Sequence, residues 1–265
     1  SLLRTHLHYR MDCQHRPIER SLPIIHWDEL EVGPVLGQGA SGVIYKGFWK
    51  ANSGELPQEV AIKLFKGDIT SDGSPLDEIQ ACIAAGDRPN LVTVLGETTG
   101  NPEGKSGLVF EFLPADYTIL GNPPSLDSCT RDTYPEDKAF ALSEILAIAR
   151  GIASVVAHLH AQGIMHGDLY AHNILVNATG EAILSDFGAA SFYNPMGSTI
   201  EKNVELMEVR AFGYLLEDLL DRHSPTQQGD PIVLNHLYQL KQDCLRSDRE
   251  RRPRFEAICR GLKTL

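Results

Sequence analysis

The feature that most constrains the fold is a change of pattern near residue 113. Before it, short runs rich in branched apolar residues are separated by Gly, Pro and Asn, which is typical of an antiparallel sheet. After it, apolar residues recur at helical spacing over long segments. We therefore expect an α+β protein with two lobes, a small antiparallel sheet lobe with one helix and a larger, mainly helical lobe.

The elements predicted from these patterns are as follows. Strands are expected over 32–36, 43–48, 60–65, 91–95, 108–113, 174–176 and 182–184. Helices are expected over 75–85, 138–162, 204–222, 232–245 and 254–265, and the Pro-rich stretch 115–137 is expected to be a long loop. The predicted organisation is an N-terminal tail over 1–26, a sheet lobe over 27–113 and a helical lobe over 114–265.

Composition narrows the class of partners. The 265 residues include 24 Lys+Arg against 35 Asp+Glu, which gives a formal net charge of −11. An acidic chain is a poor general ligand for nucleic acid or anionic membranes, so neither is expected as a partner. The five cysteines form no C-x-x-C pair, which favours reduced thiols and a cytoplasmic location. No apolar run reaches the ~18 residues typical of a membrane span.

Two motifs in the sheet lobe are suited to binding phosphate. The run G-Q-G-A-S-G at 37–42 lies between two predicted strands, where backbone N–H groups can approach phosphate oxygens without a Cβ in the way. The run V-A-I-K at 60–63 places Lys63 one hairpin away, and Glu78 on the following helix could hold it by an ion pair. Taken alone, these motifs are also compatible with a plain hairpin and a solvent-exposed lysine.

Two further motifs in the helical lobe are suited to acid–base and metal chemistry. In H-G-D-L-Y-A-H-N at 166–173, Asp168 and Asn173 can place a general base and a metal-ligating amide in one pocket. In D-F-G at 186–188, Asp186 before a flexible glycine suits a second Mg²⁺ ligand. Each could be an ordinary turn, but the four motifs in this order would rarely arise by chance.

With these motifs the chain resembles the eukaryotic-type protein kinases over about 27–265. The matching signatures are G-x-G-x-x-G-x-V, V-A-I-K, H-R-D-x-x-x-x-N and D-F-G, with R-P-x-F at 252–255. The resemblance implies a bilobal fold with ATP and Mg²⁺ in the cleft. It also implies transfer of the γ-phosphoryl group to a hydroxyl of a protein substrate or of the chain itself.

The resemblance implies roles for individual residues. The catalytic residues would be Asp168, which deprotonates the acceptor hydroxyl, Lys63, which contacts the α/β-phosphates, and Asn173. The Mg²⁺ ligands would be Asn173 and Asp186. The residues expected around the nucleotide are Gly37, Gly39, Gly42, Ile44, Ala61, Lys63, Glu78, Glu111, Leu113 and Leu175. The residues expected to stack as an apolar spine of the core, without a catalytic role, are Cys82, His166 and Phe187.

Several departures from the family pattern bear on regulation. Gly167 replaces the Arg of H-R-D, which binds an activation-loop phosphate in the family, so we expect activity independent of loop phosphorylation. Tyr170 replaces a Lys that steadies the γ-phosphate in many Ser/Thr kinases. No A-P-E follows D-F-G, and Glu208, at the position that anchors the catalytic loop, comes 22 residues after Asp186 where about 40 is usual. Control is then expected through 115–137, the tail or a partner.

The shortened segment leaves two matters open. It removes the usual glutamate partner of Arg252, so we expect Arg252 to be exposed or to pair with Glu201 or Glu205. Three functions stay possible: a protein kinase with a Ser/Thr preference acting on itself or a docked protein, a pseudokinase scaffold, and a small-molecule phosphotransferase, since H-G-D-L also occurs in that related group. Because the chain begins without Met, further domains of a longer protein are expected.

Overall fold

The structure is a computed structural model that describes residues 21–39, 41–50, 56–67, 74–125, 131–199, 203–224 and 229–265. These ranges form a sheet with one helix, followed by a mainly helical region, which confirms the predicted α+β, bilobal fold. The first 20 residues of the predicted tail lie outside the described residues, as do Ala40 and Glu201.

The first lobe is a six-stranded sheet with the spatial order β1-β5-β6-β4-β3-β2. Its strands are β1 Ile24–His26, β2 Leu30–Gln38, β3 Gly42–Trp49, β4 Gln58–Phe65, β5 Val94–Thr99 and β6 Gly107–Glu111. All neighbours are antiparallel except β1 and β5. Branched side chains of β4 and β6 form a small core here, as their β propensity favours.

The predicted boundary between tail and sheet lies too late in the chain. Ile24–His26 pair with Glu97, Thr98 and Thr99 at the sheet edge, and Ile25 is fully buried. This strand has only three residues, so its alternation is too short to be recognised as a pattern. The sheet lobe therefore includes the last residues of the predicted tail.

Among the described residues of this lobe there is one α-helix, α1 (Pro75–Ala85), and it has the bounds that were predicted. The side chain of Ser74 accepts a hydrogen bond from the Asp77 N–H, and Pro75 occupies the first turn, where its missing N–H costs nothing. Ile79, Cys82 and other residues of its buried face join the main core of the second lobe. Helix α1 is therefore tied to both lobes, which fixes the position of the side chains it carries into the cleft.

The second lobe is built around helix α2 (Leu142–Ala161), which packs against α3 (Glu205–Asp221) and α5 (Phe255–Lys263). Helix α4 (Pro231–Cys244) packs on α3. By length and hydropathy α2 could cross a membrane, but half of it is buried in the core. An apolar core helix has the same composition, so this property is weak evidence for a membrane span.

Five short strands complete the described part of the second lobe, on its side that faces the cleft. They are β7 Thr118–Ile119, β8 Ile164–Met165, β9 Ile174–Val176, β10 Ala182–Leu184 and β11 Ser191–Phe192. β10 and β9 form the predicted hairpin, β7 adds to β9, and β8 pairs with β11. β7 falls inside the predicted loop, and two-residue strands such as this one carry too few side chains to show a pattern.

Candidate active site

A buried lysine stands between two carboxylates that come from different parts of the chain. Lys63 lies on β4, the central strand flanked by β3 and β6, and its Nζ is 2.6 Å from Glu78 Oε1 and 3.1 Å from Asp186 Oδ1. Burial lowers the pKa of Lys63, but the charges of Asp186 and Glu78 outweigh it and raise the pKa above its ordinary value. The ion pair between Lys63 and Glu78 expected from the sequence is present.

The β9–β10 hairpin brings Asn173 and Asp186 to the same end of the cleft. Ile174 and Leu184 are the last paired residues, and Ser185 donates both its N–H and its hydroxyl to the Asn173 carbonyl, at 2.9 and 3.0 Å. Asp186 has a φ of +59°, a left-handed conformation that is uncommon outside glycine. Burial raises the pKa of Asp186, but the Lys63 charge and the Gly188 N–H outweigh it and lower the pKa.

Asp168 and Asn173 are joined by their side chains. Asn173 Nδ2 donates to Asp168 Oδ2 at 2.8 Å and to the Asp168 carbonyl at 2.9 Å. Burial raises the pKa of Asp168, but the neighbouring His172 imidazole, whose Nε2 lies 3.6 Å away, and the hydrogen bond from Asn173 outweigh it and hold the pKa below its ordinary range. The carboxylate is therefore ionised at neutral pH, as a general base must be before it accepts a proton.

His166, Phe187 and Cys82 are buried behind these polar groups. The His166 and Phe187 rings lie 5.4 Å apart, and His166 Nε2 is 2.9 Å from the Ser185 carbonyl oxygen. Burial strongly raises the pKa of the Cys82 thiol, which keeps it neutral. The three residues pack as core, as expected from the sequence.

The three glycines of the G-Q-G-A-S-G loop have different surroundings. A Cβ added to Gly37 or Gly39 would meet no atom within 4 Å, whereas one on Gly42 would lie 2.6 Å from the Leu64 carbonyl oxygen. A Cβ on Gly188 would lie 3.2 Å from Ser41 Oγ, so the loop tip lies over the D-F-G turn. Gly42 is thus required for the close approach of β3 to β4, while the first two glycines leave open space.

Of the remaining residues expected around the nucleotide, Glu111 is exposed, and the others are partly buried: Ile44, Ala61, Leu113 and Leu175. Ala61 is paired with Phe110, and the Glu111 N–H donates to the Thr93 carbonyl at 3.0 Å. Glu111 therefore has its backbone N–H committed to the sheet, and Leu113 lies two residues beyond the end of β6.

A family model described as protein tyrosine and serine/threonine kinase matches residues 30–212. The chain belongs to the protein kinase family. A putative serine/threonine-protein kinase/receptor of Acanthamoeba polyphaga mimivirus (R826) is 30% identical over 234 residues, which cover 79% of this chain and 13% of that protein. Cyclin-dependent kinase 11.1 of Caenorhabditis elegans is 30% identical over 169 residues, covering 63% and 22%.

A probable LIM domain-containing serine/threonine-protein kinase of Dictyostelium discoideum (DDB_G0287001) is 25% identical over 274 residues, covering 90% of this chain and 39% of that protein. The chain thus spans less than half the length of these kinases. The similarity concerns the kinase domain, and the activity, substrates and partners of each whole relative are its own.

The backbone around H-G-D explains why residue 167 is a glycine in this kinase. Gly167 has a φ of +82°, and a Cβ there would lie 2.2 Å from the Ala189 carbonyl oxygen. A side chain is excluded at this position unless the backbone moves. Glu208 Oε1 accepts from the Gly167 N–H at 2.8 Å, and Glu208 Oε2 lies 2.6 Å from His160 Nε2. Glu208 therefore anchors the catalytic loop to α2, at the family position expected from the sequence.

The prediction that Arg252 pairs with Glu205 was wrong, whereas the alternative partner Glu201 lies outside the described residues. Arg252 is partly buried and donates to the carbonyl oxygens of Leu206 and Arg246, at 2.9 and 2.8 Å. Glu205 instead pairs with Arg254, and its other oxygen accepts from the Tyr193 hydroxyl at 2.7 Å. Arg252 therefore hydrogen-bonds to a backbone carbonyl of α3 rather than to the Glu205 carboxylate.

Sequence reasoning missed one further contact at the catalytic loop. His172 Nδ1 lies 2.8 Å from Asp132 Oδ1, and the His172 backbone N–H donates to Asp132 Oδ2 at 3.2 Å. The hydrogen bond to Asp132 and the nearby Asp168 carboxylate raise the pKa of His172 to about 9. His172 stood inside a recognised motif without an assigned role, and Asp132 lies 40 residues away in the predicted loop, where no sequence signal linked the two.

Proposed function

We propose that this protein kinase is active and transfers the γ-phosphoryl group of Mg-ATP to a hydroxyl of a protein, with Ser/Thr favoured. The observation that carries the proposal is the buried arrangement of Lys63 between Glu78 and Asp186, at 2.6 and 3.1 Å, in the same cleft as the Asp168–Asn173 pair. A lysine held by a carboxylate in this way is preorganised to contact phosphate oxygens.

The residues present fit a magnesium ion. The Asn173 amide nitrogen is used on Asp168, which leaves its Oδ1 for a cation, and Asp186 uses Oδ1 on Lys63 and Gly188, which leaves Oδ2. Amide and carboxylate oxygens are the ligands that Mg²⁺ takes together with phosphate oxygens. When bound, the ion would offset charge on the triphosphate. The described residues contain no group of three His, Cys, Asp or Glu that could hold a metal without such help.

The chain's own residues divide the work of phosphoryl transfer. Lys63 is charged and fixed, so it can hold the α/β-phosphates without reorganising. Asp168 is ionised and stands at the partly open mouth of the cleft, with 39% of its side chain exposed, where an acceptor hydroxyl can reach it. It would take the proton of that hydroxyl as the oxygen attacks phosphorus.

The acceptor is proposed to be a residue of this chain or of a docked protein. A cavity of about 470 Å³ lies between the catalytic loop and α3, and Tyr170, Arg210 and Tyr214 are among its lining residues. It can take a short extended segment next to the catalytic loop, while the shortened region after D-F-G offers little further platform for a free peptide. The Ser/Thr preference is supported by the similarity to serine/threonine-protein kinases of mimivirus and Dictyostelium.

The proposal is tested by incubating the protein with Mg-ATP and locating phosphate by mass spectrometry. We expect phosphoserine or phosphothreonine on the chain, lost in Asp168→Asn, while Mg-ATP still raises the melting temperature of both proteins. Absence of phosphate on the chain and on a panel of acceptor proteins, with nucleotide binding intact, would favour the pseudokinase scaffold. Phosphorylation of metabolites alone would favour a small-molecule phosphotransferase.

One structural observation favours the scaffold as the second candidate. The buried Tyr193–Glu205 hydrogen bond and the pairing of β11 hold the segment from D-F-G to α3 against the second lobe, which leaves little chain to form a substrate groove.

The proposed location is cytoplasmic, and the free thiols of Cys82, Cys244 and Cys259 agree with it.

A further inference from the structure

His172 lies between two carboxylates, one of which belongs to the proposed catalytic base. Its Nδ1 is 2.8 Å from Asp132 Oδ1, and its Nε2 is 3.6 Å from Asp168 Oδ2. Both ring nitrogens therefore face carboxylate oxygens, and the contact with Asp132 fixes the direction in which Nε2 points toward Asp168.

Both carboxylate oxygens of Asp132 contact His172. Its side chain is 2% exposed, one oxygen faces the His172 ring and the other accepts the His172 backbone N–H at 3.2 Å. The Tyr170 ring stacks against the imidazole, with centroids 5.6 Å apart and planes at 20°. The imidazole cannot rotate away without breaking these contacts, so its position relative to the catalytic loop is fixed.

The two carboxylate oxygens of Asp168 have different surroundings. Oδ2 accepts from Asn173 Nδ2 at 2.8 Å and faces His172, whereas Oδ1 has no hydrogen-bond partner among the described residues. A carboxylate held by one oxygen keeps the other in a constant direction. For proton transfer the direction matters, because misplacement by about 1 Å can lower a rate about a hundredfold.

We infer that Asp132 and His172 are positioning residues that hold Asp168 by Oδ2, so that Oδ1 faces the acceptor hydroxyl. This inference rests on the proposed function, since it assigns a task to residues around its base. It also gives the segment between β6 and α2, which carries Asp132, a direct physical connection to the chemical step.

The test measures autophosphorylation rates at varied ATP in the wild type, Asp132→Asn, His172→Gln and His172→Arg. We expect kcat to fall about tenfold to a hundredfold in the first two variants, with KM for ATP and the Mg-ATP melting shift unchanged. Arginine can donate to both carboxylates at once, so His172→Arg should recover much of kcat. Asp116→Asn removes the same charge from an exposed position in the same segment and serves as the matched control.

The outcomes separate positioning from a structural role. Equal losses of kcat, ATP affinity and melting temperature in Asp132→Asn and His172→Gln would overturn the inference, as would unchanged kcat. If the wild type transfers no phosphate, the proposed function fails instead. Crystal structures of the wild type and His172→Gln then decide: an Asp168 carboxylate that reorients in the variant supports the inference, and one that stays in place overturns it.

Discussion

The nucleotide side of the cleft and its substrate side depart from the kinase pattern to very different degrees. On the nucleotide side, Lys63, Glu78 and Asp186 form a buried group joined at 2.6 and 3.1 Å. On the substrate side, Gly167 removes a basic side chain and the segment before Glu208 is half the usual length. Charge placement for ATP tolerates little change, whereas substrate and regulatory contacts can be rebuilt from other residues.

The largest expected effect separates the two sides directly. Asp168→Ala should lower phosphoryl transfer by about 10²- to 10⁴-fold, since it removes the proposed base, while the melting shift produced by Mg-ATP is kept. Asp186→Ala should lose the Mg-dependent part of that shift. Thermal unfolding with ATP, with and without Mg²⁺, measures both. Equal loss of nucleotide binding in the two variants would contradict this division of roles.

The next effect concerns the backbone at Gly167. Gly167→Ala should lower the free energy of unfolding by about 3 kcal/mol, from a left-handed φ and a clash with the Ala189 carbonyl. Gly104→Ala is the matched control, because Gly104 has a φ of +70° and no atom within 4 Å of an added Cβ. Urea unfolding compares the two, and equal losses would show that the contact with Ala189 is unimportant.

A smaller loss is expected at Tyr193, a residue of the segment between D-F-G and α3 that carries a hydroxyl group. Its hydroxyl is buried and donates to Glu205, with the His160 carbonyl 3.1 Å away. Tyr193→Phe should cost about 1 to 2 kcal/mol of stability. Tyr238→Phe, at a more exposed tyrosine, should cost little. A neutral Tyr193→Phe would mean that this hydroxyl does not help close the shortened segment.

The smallest effect is expected from the exposed hydroxyls of that segment. Replacing Ser191, Ser198 and Thr199 together with alanine should leave activity within about twofold, because Gly167 supplies no basic side chain to bind a phosphate there. Tyr193 stays unchanged in this variant, so the fold is preserved. A collapse of kcat with an unchanged melting temperature would show that loop phosphorylation does control the enzyme.

How far the sequence predicted the fold depended on local signals. Helix α1 was predicted with its observed bounds, because Ser74 and Pro75 begin it and Gly86 follows it. The β9–β10 hairpin was predicted for a similar reason, since its branched residues stand between turn residues. Other strands of only two or three residues were missed, namely β1, β8 and β11. Pairing with distant parts of the chain creates these strands.

The residues of the candidate site were also predictable where they lie in a local motif, and their contacts were not predictable where they join distant segments. Lys63, Asp168, Asn173 and Asp186 lie in short motifs whose order resembles that of protein kinases, so the resemblance was enough to single them out. The contacts of His172 with Asp132 and of Glu205 with Arg254 join distant segments through loops whose paths no periodicity describes. Arg252 illustrates the limit: its motif was recognised, but its carbonyl partners depend on where α3 begins.

Gly167 also bears on the evolutionary paths open to this chain. A single substitution of Gly167 by a basic residue would place its Cβ 2.2 Å from the Ala189 carbonyl oxygen. The loop after D-F-G would first have to be remodelled, and that change confers no regulation while residue 167 is glycine. A single substitution at residue 167 therefore does not suffice to bring this chain under control by loop phosphorylation, because the loop after D-F-G must change with it.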